Sequence, residues 1–228
     1  MKTWTNPYVA LILALAGLST SMISSALEDA ASIPAGPESP HAHHHHSMTE
    51  RVRYEMADYM LPQIQLTRQN GKSVALAEEL NDGRPVILNF IYTTCTTVCP
   101  LTSHVFAEVQ EKLGSTRERV HMVSISIDPE QDTPGVLAKY AQRFGAGTQW
   151  QFYTGTVEAS IAAQRAFNVY RGDKMSHNPV TFIRISPEKP WLRIEGFAKS
   201  DELLAALRDL ASSNKVQISA SGDSNSAR

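Results

Sequence analysis

Val86-Ile-Leu-Asn-Phe-Ile-Tyr-Thr-Thr-Cys95-Thr-Thr-Val-Cys99-Pro100 runs from an almost unbroken apolar stretch straight into two cysteines. Val86 to Tyr92 fits a strand covered on both faces. From Pro100 to Leu113 the spacing predicts a helix, with Val98, Leu101, Val105, Val109 and Leu113 on one face. Cys95 and Cys99 then open that helix, four residues apart, where positions i and i+4 share a face. Their sulfurs can close on one metal ion or on each other. They are the only cysteines in the chain. A helix N-terminus favours the thiolate over the thiol, so the position points to redox or soft-metal chemistry.

The pattern around this stretch sets the fold class. Val120 to Ile127 is a second apolar strand, and Trp150 to Tyr153, Val180 to Ile185 and Leu192 to Phe197 are shorter candidates. Thr133 can cap a helix that starts on Pro134 and ends near Gly145. Thr156 can cap another through Phe167, and Ser200 a last one over Asp201 to Leu210. Strands alternating with helices predict an α/β domain, a central mixed sheet flanked by helices. Strand, cysteine pair and helix in that order is the thioredoxin-like arrangement, here with three residues between the cysteines. The pair falls at the carboxyl end of a strand, where ligands bind in such sheets. Pro179 stands where such folds place a cis-proline.

The chain has 228 residues, a net charge of −2 and no dense basic run, which argues against nucleic acid as a partner. Residues 1–27 carry Lys2, the apolar run Val9 to Leu18 and small residues at Ser24 to Ala26. That is the pattern of a signal peptide or, if uncleaved, of an N-terminal anchor over residues 9–26. Both place the domain in the periplasm, free or held to the inner membrane. Residues 28–50 read as a disordered His-rich linker, 51–213 as one folded domain and 214–228 as a Ser-rich disordered tail. The run His41-Ala-His43-His-His-His46 is either a loose Cu(II) or Zn(II) collector or a tag remnant.

The domain holds three histidines. His104 lies five residues past Cys99 and faces elsewhere, and His121 opens a strand as a structural residue. His177 is the candidate ligand, in the loop Tyr170-Arg-Gly-Asp-Lys-Met-Ser-His177-Asn-Pro179 ahead of a strand next to the pair. Soft Cu(I) prefers thiolates, and imidazole suits Cu(II). Met48, Met56, Met60 and Met175 can offer thioethers, Met175 being the nearest in sequence to His177.

The run Tyr92-Thr-Thr-Cys95-Thr-Thr-Val-Cys99-Pro100 resembles the Cys-x-x-x-Cys-Pro motif of the Sco/SenC proteins. Ser126-Ile-Asp128-Pro129-Glu-Gln-Asp132-Thr133-Pro134 resembles their second motif, and His177 matches their histidine. The likeness spans about residues 55 to 212. It implies a thioredoxin-like domain that binds copper, Cu(I) or Cu(II), through Cys95, Cys99 and His177. Asp128 matches an acidic position that supports the site or the local structure. Between the cysteines the family usually has Pro-Asp-x where this chain has Thr96-Thr97-Val98, leaving the loop less negative. Asp132 and Thr133 read mainly as turn and helix-start chemistry.

Two functions of different class follow. One is an exported copper-binding protein that delivers copper to a respiratory oxidase subunit or another cuproprotein. The other is a thiol–disulfide oxidoreductase in which Cys95 attacks a partner's disulfide and Cys99 resolves it, with a reductant to restore the dithiol. A thioredoxin-like peroxidase fits less well, because no Thr and Arg arrangement surrounds a cysteine.

Overall fold

The computed structural model describes residues 52–223, with side chains as far as residue 214. The readings placed on residues 1–50, the signal or anchor and the His-rich linker among them, lie outside the described residues.

The apolar runs become the middle of the sheet. β4 (Val86–Ile91) and β5 (His121–Ser126) are buried along their whole lengths. They pair in parallel from Val86 opposite His121 to Ile91 opposite Ser126. β6 (Trp150–Thr154) adds a third parallel strand beside β5. On the other side of β4, β7 (Val180–Arg184) and β8 (Trp191–Glu195) form the expected hairpin, with β7 antiparallel to β4. The mixed central sheet read from the sequence is therefore present.

Three strands were not foreseen: β1 (Arg53–Ala57), β2 (Gln65–Arg68) and β3 (Ser73–Ala75). They extend the sheet to the order β1-β8-β7-β4-β5-β6-β2-β3.

Alternation along β4 divides the core in two. Val86, Leu88 and Phe90 pack with Leu66, Leu80, Phe167, Phe182 and Trp191. Ile87 and Ile91 face the opposite side, with Phe106, Val109, Leu137, Tyr140, Trp150 and Leu203. Cys95 and Cys99 belong to that second cluster.

Helices cover both faces: α1 (Leu76–Leu80), α2 (Val98–Leu113), α3 (Pro134–Arg143), α4 (Val157–Ala166) and α5 (Ser200–Asp223). Two of the three caps read from sequence hold; Ser200 instead lies in the first turn of α5, its hydroxyl donating to Glu108. The Thr133 hydroxyl accepts the Val136 N–H and the Thr156 hydroxyl the Ala159 N–H. α5 runs past Leu210 into the Ser-rich stretch that reads as a tail.

Three expectations need correction. α2 buries Cys99, Ser103, Phe106 and Val109, while Leu101 is 53% exposed. Val98, Val105, Val109 and Leu113 pack on the core as the spacing predicts, so Leu101 is the one misplaced residue; Ser103, which the spacing passed over, is hidden by a hydroxyl–hydroxyl bond to Tyr140, 2.9 Å long. Cys95 precedes α2 rather than lying on it, since the helix begins at Val98 after the cap residue Thr97. The peptide before Pro179 is trans, as no cis bond occurs among the described residues.

Candidate metal centre

β4 ends at Ile91, and the chain turns at once: the Cys95 N–H donates to the Tyr92 carbonyl, 3.2 Å away. Thr97 offers no side-chain cap to α2. The Cys95 sulfur takes that place, accepting the Cys99 N–H at 3.4 Å. The sulfur thus faces the free N–H groups and positive end of a helix.

Burial pushes the Cys95 thiol up. The N–H groups of Cys99 and Thr97, the Tyr92 hydroxyl and the Cys99 thiol all hydrogen-bond to its sulfur, and together they bring it down to about 7. Cys99 behaves oppositely. It is buried, its sulfur receives one backbone N–H, from Tyr92 at 3.5 Å, and burial drives its thiol far above the ordinary range. Charge on Cys95 and Asp132 adds to that rise. The two thiols are thus neighbours whose charges oppose each other. Both thiols are free.

A buried carboxylate fixes the turn. Asp132 has no exposed surface and accepts from the Thr93 N–H at 3.2 Å, the Thr93 hydroxyl at 2.5 Å and the Ser126 hydroxyl at 2.6 Å. Burial raises its pKa, and the Ser126 and Thr93 bonds oppose that. The structural role read for Asp132 holds, and the structure adds its content: it clamps the cysteine turn to the end of β5.

Asp128 is buried, and its Oδ2 accepts from Lys174 Nζ at 2.5 Å. The ion pair ties the end of β5 to the loop of residues 171–179. Through Lys174, Asp128 acts on the loop that carries His177.

The His177 Nε2–H donates to the Phe90 carbonyl at 3.0 Å, in β4. A carbonyl so placed fixes the tautomer and leaves the ring's lone pair on Nδ1, the usual preparation of a ligand histidine. Burial lowers its pKa, and the Phe90 bond opposes this, so the imidazole is neutral at pH 7. His177 nonetheless stands apart from the sulfurs. Among the described residues no three His, Cys, Asp or Glu side chains are close enough together to hold a metal ion. Instead His177 shares a cleft of about 390 Å³ with Asp128, Glu130, Tyr170, Arg171 and Lys174.

The other histidines stay out of the site. His104 packs edge-on against Phe144. His121 is buried, its Nε2 3.2 Å from the Tyr153 hydroxyl and its Nδ1 3.2 Å from Asp82 without hydrogen-bond alignment. Of the methionines, Met56 lies on β1 at the sheet edge, and Met60 is exposed. Met175 does approach the pair, with its sulfur 3.7 Å from the Tyr92 hydroxyl. Sequence reasoning passed over Tyr92 and Lys174. The signal was Tyr92's place three residues before Cys95, directly off the strand.

Comparison with known proteins places the chain in a family. The sequence profile of the SCO1/SenC family matches residues 53–211. The SCO1 protein homolog of Bacillus subtilis (strain 168) is 34% identical over 106 residues, 46% of this chain and 53% of that protein. The chain therefore spans about half the length of that relative. The copper-bound ScoI structure from Bradyrhizobium japonicum superposes with a TM-score of 0.57 at 25% identity, covering 66% of this chain and 99% of that one. BsSco, a member of the Sco family of cytochrome c oxidase assembly proteins in which a disulfide switch was identified, gives 0.57 at 25% identity, over 69% and 96%. A thioredoxin-like domain with a thiol pair at the carboxyl end of its central strand, matched over its whole length by that profile, belongs to the SCO1/SenC family.

Proposed function

We propose that this chain is an exported copper-binding protein that takes up copper at Cys95 and Cys99, adds His177 as a further ligand, and passes the metal to a respiratory metalloprotein such as cytochrome c oxidase. The single observation behind this reading is the Cys95 sulfur held by the Cys99 N–H, 3.4 Å away, at the N-terminus of the helix that carries Cys99. The donor set fits Cu(I): two soft sulfurs, one of them largely ionised near pH 7, on a turn clamped by Asp132. His177 joins when the 171–179 loop moves toward the turn, its Nδ1 lone pair already prepared by Phe90. Transfer then proceeds by ligand exchange with the partner's thiols or imidazoles, and Cys99 recovers its proton. The relative with copper bound supports the choice of metal. BsSco's place among oxidase assembly proteins supports the choice of recipient. Export rests on the apolar run Val9 to Leu18. No helix of the described residues is long and apolar enough to cross a membrane.

The asymmetry of the two thiols favours a second reading. A low-pKa cysteine ahead of a buried, protonated one is the attacker-and-resolver pair of a thiol–disulfide reductase. Anaerobic copper titration of the reduced protein separates the two. Under the copper reading Cys95→Ser abolishes stoichiometric binding, and His177→Ala weakens Cu(II) binding or changes its absorption. Copper binding unchanged in both variants, with disulfide reduction lost only in Cys95→Ser, would leave the reductase.

A further inference from the structure

The turn that carries Met175 is built as firmly as the cysteine turn it faces. Residues Lys174–Ser176 form a 3-10 turn. The Asp173 carboxylate accepts the Met175 N–H at 2.9 Å, and Lys174 is ion-paired to Asp128 while its ammonium lies 5.7 Å from the centre of the Tyr92 ring. The His177 N–H closes the turn on the Lys174 carbonyl at 3.1 Å. Held in this way, Met175 keeps its side chain 74% exposed.

Its sulfur is not idle. The Tyr92 hydroxyl stands 3.7 Å from it and also hydrogen-bonds the Cys95 sulfur. One phenol oxygen thus spans the thioether and the low-pKa thiolate. His177, next but one in the chain, is held on the Phe90 carbonyl and stands apart from the sulfurs. The soft donor that this loop brings against Tyr92 is Met175.

We infer that Met175 is a further, Cu(I)-selective ligand of the Cys95–Cys99 site, held beside Tyr92 and added to the ligands above only when the metal is Cu(I). The inference rests on the copper reading above. Thioether sulfur suits Cu(I) and is a poor ligand for Cu(II), whereas imidazole serves both. One loop therefore offers two donors of different softness two residues apart. No electron is moved in the binding step itself. Cu(I) displaces the Cys99 proton and any proton left on Cys95, and the neutral thioether adds a lone pair.

The test uses the full reduced chain without oxygen. X-ray absorption at the copper edge counts sulfur neighbours, and competition with a coloured Cu(I) chelator gives affinity. In the wild type the expected count is three sulfurs. In Met175→Leu, which keeps the side chain's size, it falls to two sulfurs and a nitrogen or oxygen. Cu(I) affinity drops about tenfold, as for other groups that tune a metal site, while the Cu(II) absorption bands stay unchanged. A Met175→Leu protein with the wild-type sulfur count and Cu(I) affinity overturns the inference and leaves the cysteine site standing. A wild type that takes up no stoichiometric Cu(I), and is matched in this by Cys95→Ser, overturns both readings.

Discussion

The backbone N–H of Cys99 donates to the sulfur of Cys95 across 3.4 Å, so one site cysteine caps the helix that carries the other. Metal affinity, thiol reactivity and helix geometry are joined at that contact. Whatever takes the Cys95 sulfur, an alkylating agent or a metal, competes with the N-terminus of α2.

Thiol reactivity follows first. Cys95 should alkylate with a midpoint near pH 7 and Cys99 only slowly, its thiol being raised by burial. Iodoacetamide modification followed by peptide mass spectrometry across the pH range checks this. Equal rates at the two residues, or a Cys95 midpoint near that of a free thiol, would show that the N–H groups of Cys99 and Thr97 do not reach the sulfur.

Copper affinity should depend on pH in two slopes. Cys99 is protonated throughout, and Cys95 loses its proton around pH 7. Binding releases one proton well above pH 7 and two well below it. Apparent affinity therefore rises about tenfold per unit on the alkaline side and approaches about a hundredfold per unit on the acid side. His177, its pKa lowered by burial, is neutral near pH 7 and adds no proton there. Chelator competition in buffers of about pH 6, 7 and 8 reads the slopes directly.

The Asp132 clamp should be visible as stability. Asp132→Ala leaves the Thr93 N–H and the Ser126 hydroxyl without their partner in a buried place. The expected cost is about 2–3 kcal/mol in urea unfolding. Asp132→Asn keeps one acceptor oxygen and should cost less. A change within about 0.5 kcal/mol for the alanine variant would contradict the clamp.

The face of α2 gives a clean packing test. Phe106 has no exposed surface and packs on Trp150, whereas Leu101 is exposed. Phe106→Ala should cost about 3–5 kcal/mol. Leu101→Lys should stay within about 0.5 kcal/mol. The reverse order would contradict the burial of Phe106 and the exposure of Leu101.

The exposed Leu101 marks the boundary of what the sequence discloses. β4 and β5 were legible because continuous apolar runs have few other uses, and the Thr133 and Thr156 caps because capping is local chemistry. β1 was not, since four of its five residues are exposed and only pairing with β8 makes it a strand. On α2 Leu101 was misplaced, and Ser103 was passed over because the hydroxyl that hides it is 37 residues away. The cysteines and the candidate histidine were visible as residue types at telling places. Their separation was not, because it depends on whether the His177 ring bonds the Phe90 carbonyl or faces the sulfurs. Asp132 looked like a helix-start residue, and it is one; its second task spans 39 residues to Thr93.

The central claim is that both cysteines hold one copper ion, and the direct measurement is a count of free thiols before and after copper. The reduced protein, with two free cysteines, is mixed without oxygen with one equivalent of Cu(I), then alkylated and weighed by mass spectrometry. Loss of both alkylation sites at one equivalent, with reaction of both restored when a Cu(I) chelator is added, is the result predicted. Two thiols still freely alkylated while the metal remains bound would place copper elsewhere and contradict the account.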